Sequence, residues 1–371
     1  MSIVNPKNNL GLADKVFSLH KEIEALRLRP NGGVDVSWKD HIEAKFTHNN
    51  GTPLKWEEFL NDLGVDLNRM TIENLISAPY DTRWLVPEVI REAIRLGLRR
   101  APIHSDIVRS SETIEQPTQI MPYLNFSGEA QMDSTSEAET IGVGTVSYGS
   151  KSVTVAKKAK GIQYTYESIR FTPMNLASIF FEDVGVRLGH SLDAMAVNVL
   201  INGDVTGGAY SAPVLGVDNT SNKITYYDLT RMWVHGGMIG RSWATMIGNE
   251  GQILNVVNLT EYKTRQNPAD PALKVNVHVP IVTNSDLYAH VNVPDTKMIM
   301  LDKAYGLVQL TAIPLMVESE KIVNRQVEGS YASIMTGFAK LFRDSAILLD
   351  GTVAFSGNGW PSWMTPTGFA S

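Results

Sequence analysis

The stretch TPMNLASIFFEDVGVRLGHSLDAMAVNVLING, residues 172–203, predicts one long α-helix. Thr172-Pro173 is a typical helix start, because a hydroxyl can cap the first turn and proline suits the first helical position. Asn202-Gly203 is a typical end, since glycine readily takes the conformation that closes a helix. Gly185 and Gly189 favour a bend in between. Apolar side chains recur at spacings of three and four, as on one helix face: Leu176, Phe180, Val184, Leu188, Leu192, Met195 and Val199. Alone, this pattern also fits the buried central helix of any α+β domain.

The segment before this helix predicts a long polar hairpin, with two strands between Tyr123 and Glu167. Apolar and aromatic side chains alternate with polar ones in the second strand, at Val153, Val155, Ile162, Tyr164 and Tyr166. The tip, SGEAQMDSTSEAETIGVGTVSYGSKS (127–152), has almost no large apolar side chains and cannot bury itself in its own domain. It is therefore either a solvated loop or an arm that lies on a neighbouring subunit.

Charge is divided along this hairpin. The first half carries the acidic residues Glu129, Asp133, Glu137 and Glu139, and the second carries Lys151, Lys157, Lys158 and Lys160. If the hairpin is an arm, we expect these eight side chains to meet complementary charge on an adjacent subunit.

A long polar hairpin that runs directly into a Thr-Pro-started helix resembles the major capsid proteins of tailed double-stranded DNA phages, which have the Hong Kong 97-type fold. The resemblance continues in KIVNRQVEGSYASIMTGFAKLFRDSAILLDG (321–351), which is similar to the closing strands of that family's peripheral domain. WLVPEVIREAIRLGLRRAPIHSDIV (84–108) resembles the helix and lead-in before the hairpin. The resemblance covers residues 84–351 and rests on the order of the elements.

The resemblance implies an α+β capsid fold with a long spine helix, an extended β-hairpin arm (E-loop), peripheral and axial domains and a helical N-terminal extension. The implied division begins with an N-terminal arm (1–83), the first part of the peripheral domain (84–122) and the hairpin (123–167). The spine helix (168–203), the axial domain (204–320), the closing peripheral strands (321–351) and a tail (352–371) follow.

The resemblance further implies a virion protein that assembles in the host bacterial cytoplasm. Hexamers and pentamers of the chain would form an icosahedral shell around double-stranded DNA, bound without sequence specificity. Portal, scaffold and cement proteins would be further partners. Two alternatives stay open: an encapsulin-like shell, and an α+β enzyme or binding module.

Composition limits the alternatives. The 371 residues include no cysteine, which excludes disulfides, thiol catalysis and cysteine metal sites. The net charge of −6 argues against a protein that coats nucleic acid over its whole surface. No run approaches the roughly 18 apolar residues of a membrane span, so we expect no membrane partner.

Walker, HExxH and GxSxG motifs are lacking, and His235, His278 and His290 are scattered, so we expect no enzyme, cofactor or metal. His190 and Asp193 are three residues apart on the predicted spine helix and should form a local pair.

Residues 1–83 predict a helical extension. Leu12, Val16, Leu19, Ile23 and Leu26 follow a four-three spacing on one narrow face. The extension either packs as a small bundle on its own chain or contacts neighbouring subunits through these five residues. We expect an arm or clamp rather than a discarded scaffold segment.

Two further segments carry side chains that we expect to contact another molecule or another part of the chain. The predicted helix Val86–Leu98 and its end carry Arg91, Arg95, Arg99 and Arg100, which would either face packaged DNA or pair with acidic groups across an interface. The tail 352–371 holds Trp360, Trp363 and Phe369, which would be exposed unless they lie against another domain or subunit.

Overall fold

The computed structural model describes residues 18, 20–27, 37–46, 52–62, 71, 85–100, 103–121, 123–125, 137, 145–147, 152–204, 211–218, 222–259, 278–279 and 285–355. Within them the fold is α+β, as predicted: two sheets lie on either side of a group of helices.

Three short helices form the described part of the N-terminal extension: α1 (residues 20–27), α2 (Trp38–Lys45) and α3 (Trp56–Asp62). Ser37 caps α2, because its hydroxyl oxygen accepts the backbone N–H of Asp40. The helices enclose a small apolar cluster of their own, made of Ile23, Trp38, Ile42 and Phe59. After these helices, Thr71 forms an isolated antiparallel bridge with Pro173, just before α7.

The central helices are α4 (Leu85–Arg100), α5 (His104–Ile107), α6 (Tyr166–Phe171) and α7 (Met174–Asn202). The last of these is the predicted spine helix, continuous over 29 residues. Its end is confirmed: Gly203 has a φ of +81°, and its N–H donates to the carbonyl of Val199. The predicted start is wrong. Pro173 is the cap residue without a side-chain cap bond, because Thr172 closes the preceding α6.

The predicted apolar face of α7 is only half correct. Val184, Leu188 and Leu192 are buried. Leu176 and Phe180, however, are 48% and 58% exposed, and the first turns instead bury Met174, Ala177 and Phe181. Since α7 is apolar on most sides here, its sequence period alone did not distinguish the core face from the exposed face.

Helices α4 and α7 cross at two glycines. A Cβ atom on Gly97 would overlap the carbonyl oxygen of Glu182, and one on Gly185 would overlap the carbonyl oxygen of Ile94. The two backbones are therefore in direct contact. By contrast, a Cβ on Gly189, one turn further along α7, would lie 3.8 Å from Leu98, an ordinary contact.

The first sheet has the strand order β1-β12-β13-β6. Its strands are β1 (Val108–Thr113), β6 (Ala156–Thr165), β12 (Leu307–Ile322) and β13 (Val327–Lys340). Among these described strands, the β1–β12 pair is parallel and the other two pairs are antiparallel. Apolar side chains of β12 and β13, among them Leu315 and Phe338, belong to the same core as α4 and α7.

Four short strands make the described part of the hairpin. The strand β2 (Thr118–Ile120) pairs with β5 (Ser152–Thr154), and β3 (Tyr123–Asn125) pairs with β4 (Thr145–Ser147). Both pairings are antiparallel, as in a hairpin, and the β2–β5 pairing begins at Thr118, before the predicted boundary at Tyr123. The strand β6, which the sequence placed in the hairpin, belongs to the first sheet, because it pairs with β13 along its whole length, and its Ile162 and Tyr164 pack on the central core.

The second sheet has the order β7-β14-β11-β8-β10-β9. Its strands are β7 (Val214–Val217), β8 (Thr245–Gly248), β9 (His278–Val279), β10 (Ser285–Ala289), β11 (Lys297–Leu301) and β14 (Ala346–Ala354). Helices α8 (Tyr226–Met238) and α9 (Glu250–Val257) contribute to a cluster on one face. The other face packs on the second half of α7, through Ala196, Val197 and Leu200.

These sheets differ from the predicted division in two places. Residues 307–320, assigned to the axial domain, form most of β12 in the first sheet. Residues 346–351, assigned to closing peripheral strands, lie in β14 between β7 and β11. All six of the latter residues are buried, so this strand suits the middle of a sheet.

The glycine crossing is testable by adding one methyl group. Gly185→Ala should lower the free energy of unfolding by about 2 kcal/mol or more, because the rigid backbone of α4 cannot yield. Gly189→Ala on the same helix should leave stability unchanged or raise it by up to about 1 kcal/mol, since alanine favours helix. Urea unfolding of both variants measures the difference. Equal effects would contradict a direct backbone contact at Gly185.

Candidate assembly surfaces

A buried ion cluster joins the N-terminal helices to α4. The guanidinium of Arg27 donates two bonds to Glu88, from Nη1 to Oε1 at 2.7 Å and from Nη2 to Oε2 at 3.1 Å. Arg91 donates to the same carboxylate at 3.0 Å. One turn on, Glu92 accepts from the Ser37 hydroxyl at 2.8 Å and from Arg95 at 2.9 Å. The extension is thus fastened to its own chain.

Burial raises the pKa of Glu88 to about 7, although the charge of Arg27 opposes this shift. The folded chain therefore holds the proton of this carboxyl more tightly than the unfolded chain does. The protonated Glu88 carboxyl contributes fully to the stability of the fold below the pKa that it has in the unfolded chain. This contribution is lost as the pH rises through about 7.

The predicted DNA-facing arginines divide into two pairs. Arg91 and Arg95 are only 6% and 8% exposed and are held by Glu88 and Glu92, so the prediction is wrong for them. Their charge is used inside the subunit. Arg99 and Arg100 are exposed at the end of α4, and Arg100 pairs with Glu182 at 2.7 Å.

The predicted contact residues of the N-terminal arm lie mostly outside the described residues: Leu12, Val16 and Leu19. Ile23 is fully buried in the cluster of α1, α2 and α3, and Leu26 is half-buried. The prediction that Ile23 contacts a neighbouring subunit is corrected, because aromatic rings of its own chain cover it. This part of the extension packs as the small bundle that was the alternative.

The basic residues predicted for the hairpin arm lie on an edge strand. Lys157 and Lys160 are exposed and Lys158 is half-buried on β6, which ends the described first sheet. Glu137 is exposed in a turn. Lys151 and the acidic residues Glu129, Asp133 and Glu139 lie outside the described residues. Lysines on an edge strand discourage indiscriminate strand pairing and attract acidic partners.

Buried polar groups join α5 to its neighbours. Asp193 of α7, fully buried, accepts the backbone N–H of His104 at 2.9 Å and lies 2.6 Å from His104 Nδ1. The predicted partner, His190, is more distant, at 4.0 Å. Tyr288 of β10 donates to Asp106 at 3.0 Å, and burial raises the pKa of Tyr288 to about 12. The Asp193 contacts therefore join α5 to α7, and the Tyr288 bond connects the second sheet to α5.

No metal-binding arrangement occurs in the part of the chain that the structure describes: no group of three or more His, Asp or Glu is placed to hold an ion. Burial lowers the pKa of His290, and His235 is buried in α8. The side chain of His278 lies outside the described residues.

Among the helices that expose large apolar side chains, α7 and α8 expose three or more each, and the sequence did not single these out as surface. On α7 these are Leu176, Ile179 and Phe180. On α8 they are Tyr227, Trp233, Val234 and Met238, of which Met238 is 64% exposed. Grouped apolar side chains on a surface are typical of sites that contact other proteins.

The length and composition of α7 also suit a membrane span, between Leu176 and Asn202, which differs from the expectation drawn from the sequence. Half of the most apolar window is buried inside the protein. A helix at the centre of a globular core has the same composition, because it contacts apolar side chains on most sides.

Solved structures similar to this chain include capsids and an encapsulin. The capsid of a native GTA particle is 13% identical, with a TM-score of 0.49 over 71% of this chain and 90% of that one. The capsid of the Cyanophage P-SCSP1u is 14% identical, with a TM-score of 0.48 over 69% and 89%. The encapsulin of the holo-SrpI complex from Synechococcus elongatus is 11% identical, with a TM-score of 0.44 over 68% and 88%. No protein-family model matches the sequence, and no similarity to a curated protein was found.

The buried ion cluster predicts a difference between two arginines. Arg27→Ala should lower the free energy of unfolding by about 3 kcal/mol, because it leaves a buried carboxylate with fewer partners. Arg100→Ala should cost less than about 1 kcal/mol, since the Arg100 side chain is 71% exposed, although its partner Glu182 is half-buried. Chemical denaturation at pH 8 compares them, and a similar small loss for both would show that Arg27 is not buried in an ion pair.

Proposed function

We propose that this chain is a shell-forming capsid protein of the Hong Kong 97 type. The single observation that carries the proposal is the order and packing of its elements. A hairpin is followed by one long helix, and that helix packs between a four-stranded sheet and a six-stranded sheet. This is the arrangement that the resemblance to tailed-phage capsid proteins implied.

In this proposal the two sheets are the two domains of the capsid subunit. The first sheet, α4 and α7 form the peripheral domain, and the second sheet with α8 and α9 forms the axial domain. The strand β14 belongs to the axial domain, although it follows the peripheral strands in the sequence. The hairpin that starts at β2 is the arm.

The charges and apolar faces of the subunit support contacts between copies. The lysines of β6 present positive charge at an edge, while the hairpin sequence carries negative charge at Glu129, Asp133, Glu137 and Glu139. Leu176, Ile179 and Phe180 give α7 an apolar surface that a single subunit leaves exposed. Repetition of such contacts over many copies makes weak individual contacts sufficient for a stable shell.

We further propose hexamers and pentamers of this chain around double-stranded DNA, within a virion assembled in a bacterial cytoplasm. Portal, scaffold and cement proteins are the further partners of such a shell. Arg99 and Arg100 are the two predicted arginines that are exposed to meet phosphate without reading bases. The long hairpin and the N-terminal helices favour a phage shell over an encapsulin-like compartment.

Light scattering of the purified chain tests shell formation. We expect particles in the megadalton range with nuclease-protected DNA inside when the chain is produced with the other proteins of its particle. A protein cargo in place of DNA would support the encapsulin-like alternative. A monomer or dimer under all conditions would contradict a shell and favour an enzyme or binding module.

If the lysines of β6 contact the arm of a neighbouring subunit, reversing their charge should cause a specific assembly defect. Lys157→Glu with Lys158→Glu should impair assembly at low salt and leave the thermal transition of the subunit unchanged. Each exposed pair contributes about 1 kcal/mol or less, but the loss is repeated at every copy. Lys223→Glu with Lys303→Glu is the matched control, because it makes the same charge change at two exposed lysines elsewhere. A normal yield of shells from the first variant would contradict arm docking at β6.

A further inference from the structure

A turn between β10 and β11 lies where the second sheet meets α7. It consists of residues 290–293 and is here called the His290 turn. Val293 is 1% exposed and belongs to the same apolar core as Ala196 and Val197 of α7. The backbone N–H of His290 donates to the carbonyl of Gly248, at the end of β8, at 2.8 Å. The turn is therefore fixed to the sheet and packed in the core that the sheet shares with α7.

The ring of His290 holds this turn closed. Its Nδ1 accepts the backbone N–H of Asn292 at 3.2 Å, and its backbone carbonyl accepts the N–H of Val293 at 3.2 Å. An imidazole nitrogen can accept a hydrogen bond only while it carries no proton. The bond from Asn292 therefore requires a neutral ring, and the residue that carries this ring is only 7% exposed.

Two charged or titratable groups of α7 act on this ring, Asp193 and His190. Asp193 is fully buried, and its Oδ1 accepts the backbone N–H of His104 at 2.9 Å. Its Oδ2 makes no hydrogen bond within the described part of the chain, and Nδ1 of His190 lies 4.0 Å from it. A protonated His190 would therefore compete with a protonated His290 for the negative charge of Asp193.

The groups on the other sides of the turn offer little compensation for a charge on His290. Asp106 of α5 already accepts the hydroxyl of Tyr288 at 3.0 Å. Asn249, which caps α9, is uncharged and donates to the carbonyl of Val293 at 3.3 Å. Asp193 is thus the carboxylate that remains to offset a positive charge on the ring.

Burial lowers the pKa of His290, the negative charge of Asp193 opposes this shift, and a positive charge on His190 adds to it. In the unfolded chain the same ring titrates near the ordinary histidine pKa of about 6.5. The unfolded or locally opened chain therefore binds the proton more tightly than the folded chain does. The contribution of the His290 turn to stability is full above a pH of about 6.5 and is lost as the pH falls below it.

We propose that the His290 turn is an acid-sensitive joint between the second sheet and α7. A proton from solvent on Nδ1 turns the acceptor of the Asn292 bond into a donor that faces another donor, and it places a charge in a closed site. The turn then opens and withdraws Val293 from the core, while the bond from Tyr288 to Asp106 still connects the sheet to α5. The inference does not depend on shell formation, because every group in it belongs to one subunit.

Hydrogen exchange of the full-length, unassembled subunit tests the joint, with mass spectrometry at pH 7.5 and pH 5.5. Each rate is divided by the intrinsic rate at the same pH, because intrinsic exchange itself depends on pH. We expect residues 286–300 to lose protection about tenfold at pH 5.5, while β12 and β13 of the first sheet keep theirs. Equal protection of residues 286–300 at both pH values would overturn the proposal. An equal loss in β12 and β13 would also overturn it, because acid would then act on the whole fold.

His290→Asn is the variant that removes the titration and keeps the acceptor. Asparagine carries its Oδ1 on the same carbon that carries Nδ1 in histidine, so it can still accept the N–H of Asn292. We expect its residues 286–300 to have the same protection at both pH values. An acid loss as large as in the native chain would contradict a role for His290.

His190→Gln keeps the proposal testable if His290→Asn disturbs the turn, because the His190 side chain is 60% exposed and its replacement leaves the core intact. This variant removes the positive charge that opposes protonation of His290 and competes for Asp193. The acid loss of protection in residues 286–300 should therefore shrink from about tenfold to about threefold. A loss that stays tenfold would overturn the proposal.

Discussion

The contact between α4 and α7 is the constraint on which the rest of the subunit depends. Two glycines, Gly97 and Gly185, let the helix backbones touch. This closeness places both helices against one face of the first sheet, while the second half of α7 remains available for the second sheet. It also turns the opposite side of α4 toward the N-terminal helices. There Glu88 accepts a hydrogen bond from Arg27, and Glu92 accepts one from Ser37. A larger residue at the crossing would separate the layers that these polar bonds connect.

Local signals in the sequence predicted local structure well. The spine helix ends where Asn202-Gly203 indicated, because glycine readily takes the conformation that closes a helix. Partners far apart along the chain were not predictable. Nothing in the α4 sequence shows that its acidic residue Glu88 binds Arg27, which precedes it by 61 residues. The sequence therefore left open whether the arginines of α4 face DNA or pair across an interface, whereas half of them lie inside an ion cluster of their own subunit.

The candidate surfaces show the same contrast between local structure, which the sequence predicted, and contacts between distant residues, which it did not. Hydrophobic periodicity marks a helix but does not rank its sides when most of them are apolar, so Leu176 and Phe180 were expected in the core and lie at the surface. On β6 the alternation of Ile162 and Tyr164 was read correctly as a strand, yet its membership of the main sheet depends on pairing with β13. The lysines beside them were recognised as a set, and only the fold shows that they form an edge.

The position of β14 has a consequence for synthesis of the chain. It lies between β7 and β11, and both of those strands leave the ribosome earlier than residues 346–354 do. Until β14 has been synthesised, β7 and β11 have no strand between them, and the backbone groups on their facing edges lack partners. A nascent chain can complete its central helices, but not this sheet. Completion of this sheet therefore waits for synthesis of residues 346–354, and a polypeptide released before them would carry exposed strand edges.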